Sequence, residues 1–207
     1  MDILIATGNA GKAKEFQEML GDGDVHIRLR SLAEFANIEA IPETGDTFRA
    51  NAALKAAGYA RATGLWALAD DSGLEVDALA GKPGVHSARW AELHARGKGD
   101  AANNVLLLEQ IQDVPDDRRR ARFVCVLALA DPTGAIILTA RDTIEGRMLR
   151  APVGSNGFGY DPLFHVDALG QTTAQLPAEQ KHQVSHRGRA LRRMRALLQR
   201  IRLDIRG

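Results

Sequence analysis

The chain has 207 residues, 45% of them hydrophobic and 26% charged, and a formal net charge of +1. That is enough apolar material for a sizeable core in one large domain or two intimate lobes, and too little net charge to advertise nucleic acid. A single cysteine, Cys125, excludes an internal disulfide. No apolar run reaches the roughly 18 residues of a membrane span, and Met1-Asp2-Ile3-Leu4-Ile5 lacks the basic n-region of a signal peptide. A reducing, cytoplasmic setting without membrane contact is the expectation.

Ile3-Leu4-Ile5-Ala6 reads as a short buried strand. It leads into Thr7-Gly8-Asn9-Ala10-Gly11-Lys12, and a helix follows over Lys12 to Leu20, with Phe16, Met19 and Leu20 at helical spacing. Small residues let the backbone approach a ligand, a helix N-terminus offers N–H groups and partial positive charge to a phosphate, and Lys12 adds a full charge. The loop is not of the Walker A type, because Ala13 follows the lysine where that loop has Ser or Thr. The plain alternative is a strand–helix turn with a surface lysine.

A second, alanine-rich helix is expected from about Asp46, whose side chain can cap it, to Thr63, with Gly64 as its stop. Asn51 and Lys55 share one face of it, but nothing in the sequence separates Lys55, Lys82 or Arg89 from surface residues. Leu65 to Ala69 reads as a second buried strand, closed by Asp70-Asp71-Ser72-Gly73. A carboxylate pair at a strand end lies where open α/β sheets place ligands, and a turn brings both to one site. A hard cation such as Mg²⁺ takes one or two carboxylates plus phosphate oxygens, and Glu43 and Glu75 are spare carboxylates nearby. Asp, Ser and Gly are also turn formers, so a solvated turn is the competing reading.

Asp100 to Gln112 reads as a third helix, and Arg122 to Ala130 with Ala135 to Thr143 as a hairpin around Asp131-Pro132-Thr133-Gly134. Cys125 falls in the first of these strands as a buried small hydrophobe. Gly154-Ser155-Asn156-Gly157-Phe158-Gly159-Tyr160-Asp161-Pro162 suggests a flexible loop that presents a ring to a planar ligand, or a structural turn with Phe158 and Tyr160 tucked beneath. A last helix, Ser185 to Leu203, carries Leu191, Met194, Leu197, Leu198 and Ile201 on one face. Lys181, His186 and Arg187 stand near its start with Ser185 as a candidate cap, and the later arginines read as a solvated outer face. Strands alternate with helices early and then pair as a hairpin, which makes the fold class α/β with a mixed sheet.

In this order, the motifs resemble the inosine/xanthosine triphosphate pyrophosphatase family, bacterial type, from Ala6-Thr7-Gly8-Asn9 to Ser185-His186-Arg187-Gly188. The most specific stretches are Ala69-Asp70-Asp71-Ser72-Gly73-Leu74, Gly157-Phe158-Gly159-Tyr160-Asp161-Pro162 and Ser185-His186-Arg187. The resemblance implies an elongated mixed β-sheet flanked by helices, one domain over residues 1–207 in two lobes with a central active-site cleft, and a homodimer. It implies hydrolysis of non-standard purine nucleoside triphosphates (ITP, dITP, XTP) to the monophosphate and pyrophosphate, with Mg²⁺ as cofactor and no stable nucleic-acid partner.

By position, it implies that Thr7, Gly8, Asn9, Ala10, Gly11 and Lys12 hold the triphosphate. Asp71 becomes the catalytic proton acceptor and metal ligand, Glu43 a further metal carboxylate, and Ser72, Lys55 and Arg89 substrate contacts. Phe158, Gly159, Tyr160 and Asp161 line the base and sugar pocket, completed by Lys181, His186 and Arg187. Two rivals stand beside this reading: a pyrophosphatase for ordinary or modified pyrimidine nucleotides, and a non-enzymatic nucleotide- or nucleic-acid-binding protein that uses the arginine-rich last helix.

Overall fold

A computed structural model describes residues 1–20, 27–35 and 38–206, with side chains to residue 200. The expected mixed sheet is present, with seven strands in the order β2-β1-β3-β4-β5-β6-β7. These are β1 (Asp2–Ile5), β2 (Arg28–Ser31), β3 (Trp66–Val76), β4 (Arg120–Ala130), β5 (Ile136–Met148), β6 (Phe164–Val166) and β7 (Gln171–Thr172). β1 pairs in parallel with both β2 and β3, whereas β6 is antiparallel to β5 and β7. Burial of Ile3, Leu4 and Ile5 explains why β1 is continuously apolar, as a parallel strand covered on both faces must be.

The chain divides into two compact units: Met1–Asp71, Cys125–Asp142 and Arg187–Gly207 form the first, Ser72–Val124 and Thr143–His186 the second. The first contains helices α1 (Ala10–Leu20) and α2 (Phe48–Thr63). Its core gathers Ile3, Ile5, Phe16, Leu68, Cys125, Leu127, Leu129, Leu191, Met194 and Leu198. The second contains α3 (Trp90–Leu93), α4 (Gly99–Gln110) and α5 (Ala178–Val184) around Leu74, Val76, Leu107, Ile111, Phe123, Met148, Tyr160 and Phe164. The last helix, α6 (His186–Arg206), gives its stripe to the first core through Leu191, Met194 and Leu198, with Leu197 partly buried; the side chain of Ile201 lies outside the described residues.

Two expectations are corrected. The cap of α2 is Thr47, whose hydroxyl accepts from the Ala50 N–H at 3.1 Å, and not Asp46; Gly64 ends the helix in the left-handed region as expected. Asp70-Asp71-Ser72-Gly73 is not a turn, because β3 runs through it to Val76. Turn-forming propensity gives way there to pairing with β4 and to buried partners for both carboxylates. Ser185 stands, with extended backbone, directly before α6 where the cap was expected, and its N–H bonds the Lys181 carbonyl at 2.8 Å to close α5. The hairpin is as read: Asp131 Oδ1 accepts from the N–H groups of Thr133 and Ala135, and Gly134 supplies a φ of 86°.

Candidate active site

In the first unit, the loop after β1 ends in a capped helix. Asn9 Oδ1 accepts from the Lys12 N–H at 3.0 Å, and the Asn9 N–H donates to Thr7 Oγ1 at 3.2 Å. The first-turn N–H groups of Ala10 and Gly11 have no partner among the described residues. Space above Gly8 is open, since a Cβ there meets nothing within 4 Å. Lys12 reaches back to Asp70, with Nζ 2.9 Å from Oδ2. Asp70 also lies 3.5 Å from Arg187 Nε, and Arg187 pairs closely with Glu15 of α1.

Asp71 has a different set of partners, as consecutive strand residues do. Asn51 Nδ2 donates to its Oδ2 at 3.1 Å, and Lys55 Nζ lies 3.7 Å from its Oδ1. Lys55 also binds Glu43 at 2.6 Å, while Asn51 Oδ1 accepts from the Gly45 N–H at 2.7 Å. Two buried residues one helical turn apart therefore tie the Glu43–Gly45 segment to β3. The approach at Gly45 demands glycine: a Cβ would come within 2.6 Å of Ala50 Cβ and 2.9 Å of Asn51 Oδ1.

Electrostatics separate the two aspartates. Burial raises Asp71, Glu43 adds like charge, and Lys55, Lys12 and the Asn51 bond do not offset them; the carboxyl is pushed up to about 6. Burial acts on Asp70 too, but Lys12, Arg187 and Lys55 hold it well below the usual carboxylate range. Burial likewise works against the charge on Lys55 and on Arg187, yet the surrounding carboxylates raise both. The assembly sets four carboxylates (Glu15, Glu43, Asp70, Asp71) against three cations (Lys12, Lys55, Arg187). Among the described residues, no three His, Cys, Asp or Glu side chains form a metal cage. Glu43 and Asp71, the pair named from sequence for a metal, both face Lys55 Nζ.

In the second unit, the glycine-rich loop is held from within. Buried Asp161 accepts from Lys181 Nζ at 2.6 Å, Thr173 Oγ1 at 2.8 Å and the Phe158 N–H at 2.9 Å. The Gly159 peptide is gripped twice by α4, through Asp100 Oδ2 at 2.6 Å and Asn104 Nδ2 at 3.0 Å. Gly157 has a φ of 77°, and a Cβ there would fall 2.0 Å from Asp161 Oδ2. Phe158 is half-buried with Lys181 Nζ 4.8 Å from its ring centre. Tyr160 is turned into the core, its hydroxyl donating to the Ser87 carbonyl at 2.9 Å. His186 stacks on Phe123 at 4.9 Å between ring centres. Arg89 is exposed at the end of a 3₁₀ turn, Gly84–Arg89, and Ser72 is half-buried in β3.

Lys12, Lys55, Glu43, Asp71 and Arg187 are thus brought together in one unit, and Phe158, Asp161 and Lys181 in the other. Reading the sequence missed Asn51, Glu15 and the ionic role of Asp70. The spacing of Asn51 from Lys55 was the available signal for the first. Glu15 and Arg187 stand 172 positions apart and give no such signal.

A mixed α/β fold whose strand–loop–helix exposes N–H groups beside a lysine and buried carboxylates defines a phosphate-handling α/β protein. The chain belongs to the Ham1 family, whose model matches residues 3–197. A dITP/XTP pyrophosphatase of Exiguobacterium sibiricum is 51% identical over 198 residues, covering 96% of this chain and 97% of the relative. One from Pseudomonas aeruginosa is 49% identical, covering 91% and 92%. Among solved structures, a HAM1 protein from Coxiella burnetii superposes with a TM-score of 0.86 at 40% identity, over 97% of this chain and 99% of that one. A nucleoside-triphosphatase / dITP/XTP pyrophosphatase from Mycobacterium abscessus gives 0.74 at 45% identity, over 94% and 97%.

Proposed function

We infer that the chain is a nucleoside triphosphate pyrophosphohydrolase that converts non-standard purine nucleoside triphosphates (ITP, dITP, XTP) to the monophosphate and pyrophosphate. The observation that carries the reading is the joint placement, in one compact unit, of the open α1 N-terminus with Lys12 and of buried Asp71, whose carboxyl is raised to about 6. The names of relatives about half identical over nearly the whole chain support the same activity.

The N–H groups of Ala10 and Gly11 and the Lys12 ammonium bind phosphate oxygens. Asp71, poised near 6, is ionised at neutral pH and is close enough to it to take a proton from the attacking water. Lys55 and Asn51 hold that carboxylate in place. Glu43 and Asp71 fit Mg²⁺, which uses one or two carboxylates with waters and substrate oxygens and needs no protein cage. The negative excess of the cluster suits a cation in the same place. Mg²⁺, when bound, polarises a phosphoryl oxygen and lowers the pKa of a water. Positioning and charge neutralisation account for most of the acceleration.

Arg187, always a donor, matches the acceptor at position 6 of hypoxanthine and xanthine and mismatches the adenine amino group. Arg187→Lys, which keeps the charge beside Asp70 and Glu15, is expected to lower kcat/KM for ITP more than for ATP. Equal losses would assign Arg187 to charge balance alone.

Among the described residues no helix is long and apolar enough to cross a membrane. A homodimer in the cytoplasm completes the proposal, and sedimentation tests the dimer. The deciding assay is steady-state hydrolysis of ITP, XTP, dITP, GTP and ATP, with and without Mg²⁺ and with pyrophosphate detection. Preference for a pyrimidine triphosphate added to that panel, or cleavage to orthophosphate, would overturn the assignment.

A further inference from the structure

A second cationic feature lies in the other unit and has no part in this chemistry. A cavity of about 280 Å³ is lined by Asp116, Arg119, Arg147, Met148, Leu149 and Arg150. Arg119 is 2% exposed. It donates only to carbonyls: Met148 O at 2.8 Å, Leu149 O at 3.0 Å, Ile111 O at 2.5 Å and Val114 O at 3.4 Å. Among the described residues no carboxylate lies within ion-pair distance of it. Arg150 donates to Val114 O as well, at 3.1 Å, so two guanidinium groups converge on one oxygen. The carboxylate in the lining, Asp116, is already bonded to Arg150 at 2.8 Å. Arg147 bonds Asp167, outside the lining, at 2.9 Å.

Carbonyls satisfy N–H groups without neutralising charge, and the end of α4 contributes only about half an elementary charge. With Asp116 on Arg150 and Asp167 on Arg147, one positive charge is left in excess, that of buried Arg119, and buried charge is ordinarily paired. Burial, and then the nearby charge of Arg150, lowers the proton affinity of Arg119, and Asp116 offsets this only in part. A strut that ties the end of α4 to β5 explains Arg119 alone. It explains neither the second guanidinium on the same carbonyl nor the cavity.

We propose that this cavity, formed by Arg119, Arg147 and Arg150, is a binding site for a phosphate-type oxyanion, distinct from the Lys12 loop. Guanidinium forks match the spacing of phosphate oxygens, and the cavity admits either orthophosphate or pyrophosphate. The site does not depend on the catalytic assignment.

The experiment is calorimetric titration, without Mg²⁺, of the full chain carrying Lys12→Ala, which silences the α1 loop. Inorganic phosphate and pyrophosphate are the two probes. One site is expected to remain, and Arg147→Gln with Arg150→Gln is expected to weaken it by about tenfold or more. Asp116→Asn, which removes the competing carboxylate, is expected to tighten it several-fold, an effect no structural strut predicts. Tighter pyrophosphate than phosphate binding identifies the ligand as pyrophosphate, equal binding as a simple phosphate. The proposal falls if no binding survives Lys12→Ala, or if the arginine variants bind unchanged. Should those variants fail to fold, unchanged or weaker binding by Asp116→Asn overturns it.

Discussion

Asp71 holds its proton more readily than Asp70 because its cations are farther away: Lys12 stands 2.9 Å from Asp70, Lys55 3.7 Å from Asp71. The folded value for Asp71, about 6, is above the ordinary 3.8, so the folded state binds the proton more tightly than the unfolded chain. Stability attributable to Asp71 is therefore full at low pH and falls as pH rises from about 4 through 6, by on the order of 3 kcal/mol. Asp70, with a lowered value, runs the other way and loses its contribution only as pH drops below the ordinary carboxylate range. Asp71→Asn fixes the neutral form. Without Mg²⁺ it is expected to melt above the wild type at pH 8 and level with it at pH 4, while turnover nearly vanishes. Equal melting temperatures at pH 8 would show that burial does not tax this carboxylate. Asn51→Leu tests the neighbouring strut. It leaves the Gly45 N–H without its acceptor, at a cost of about 1–3 kcal/mol in a denaturant melt. It is also expected to raise the Mg²⁺ concentration for half-maximal rate; an unchanged requirement would confine Asn51 to stability.

Elements whose signals are local were legible in the sequence, because apolar spacing, a left-handed glycine and an Asx turn act over a few residues. Ile3–Ile5, α4 and the Asp131 hairpin are of this kind. The run through Asp70-Asp71-Ser72-Gly73 was not, because its local preference is for a turn and its strand state depends on β4, about fifty positions on, and on Arg187 at the far end of the chain. The Asp46 cap failed for a smaller reason: two adjacent residues both accept hydrogen bonds, and only geometry distinguishes them. Thr47→Ala is expected to destabilise by about 1 kcal/mol and Asp46→Ala by a few tenths at most, measured by chemical denaturation. The same limit applies to the candidate site. Lys12, Lys55, Glu43 and Asp71, named through motif and resemblance, lie together in the first unit. The pairing of Glu15 with Arg187 is a packing fact.

At the scale of the molecule, neither unit is a continuous stretch of chain. Residues 125–142 interrupt the second, and the first is assembled from three segments. β3, β4 and β5 each carry residues of both, so the sheet cannot be cut without breaking a strand. A chain ending at Ser185 keeps every residue of the Thr7–Lys12 loop and of β3. It loses Arg187 beside Asp70 and Glu15, and Leu191, Met194 and Leu198 from the first core. Removing one partner of a buried ion pair costs about 3–5 kcal/mol, before any loss of apolar packing. Such a truncation is expected to lack cooperative melting of the first unit.

The placement of α6 also bears on how the protein is made. The ribosome releases Ile3, Ile5 and Phe16, which flank the Thr7–Lys12 loop, long before α6, yet they share one hydrophobic core with Leu191, Met194 and Leu198 of that helix. All of the second unit except its final residue, His186, is synthesised before α6 begins. The usual order, in which the N-terminal part folds first during synthesis, is expected to be reversed here, because the first unit cannot complete its core before α6 is made. Lys12 can meet Asp70 early, but Arg187, the cation shared by Asp70 and Glu15, arrives only with α6, so a nascent chain stalled before α6 holds the loop without the complete ionic cluster.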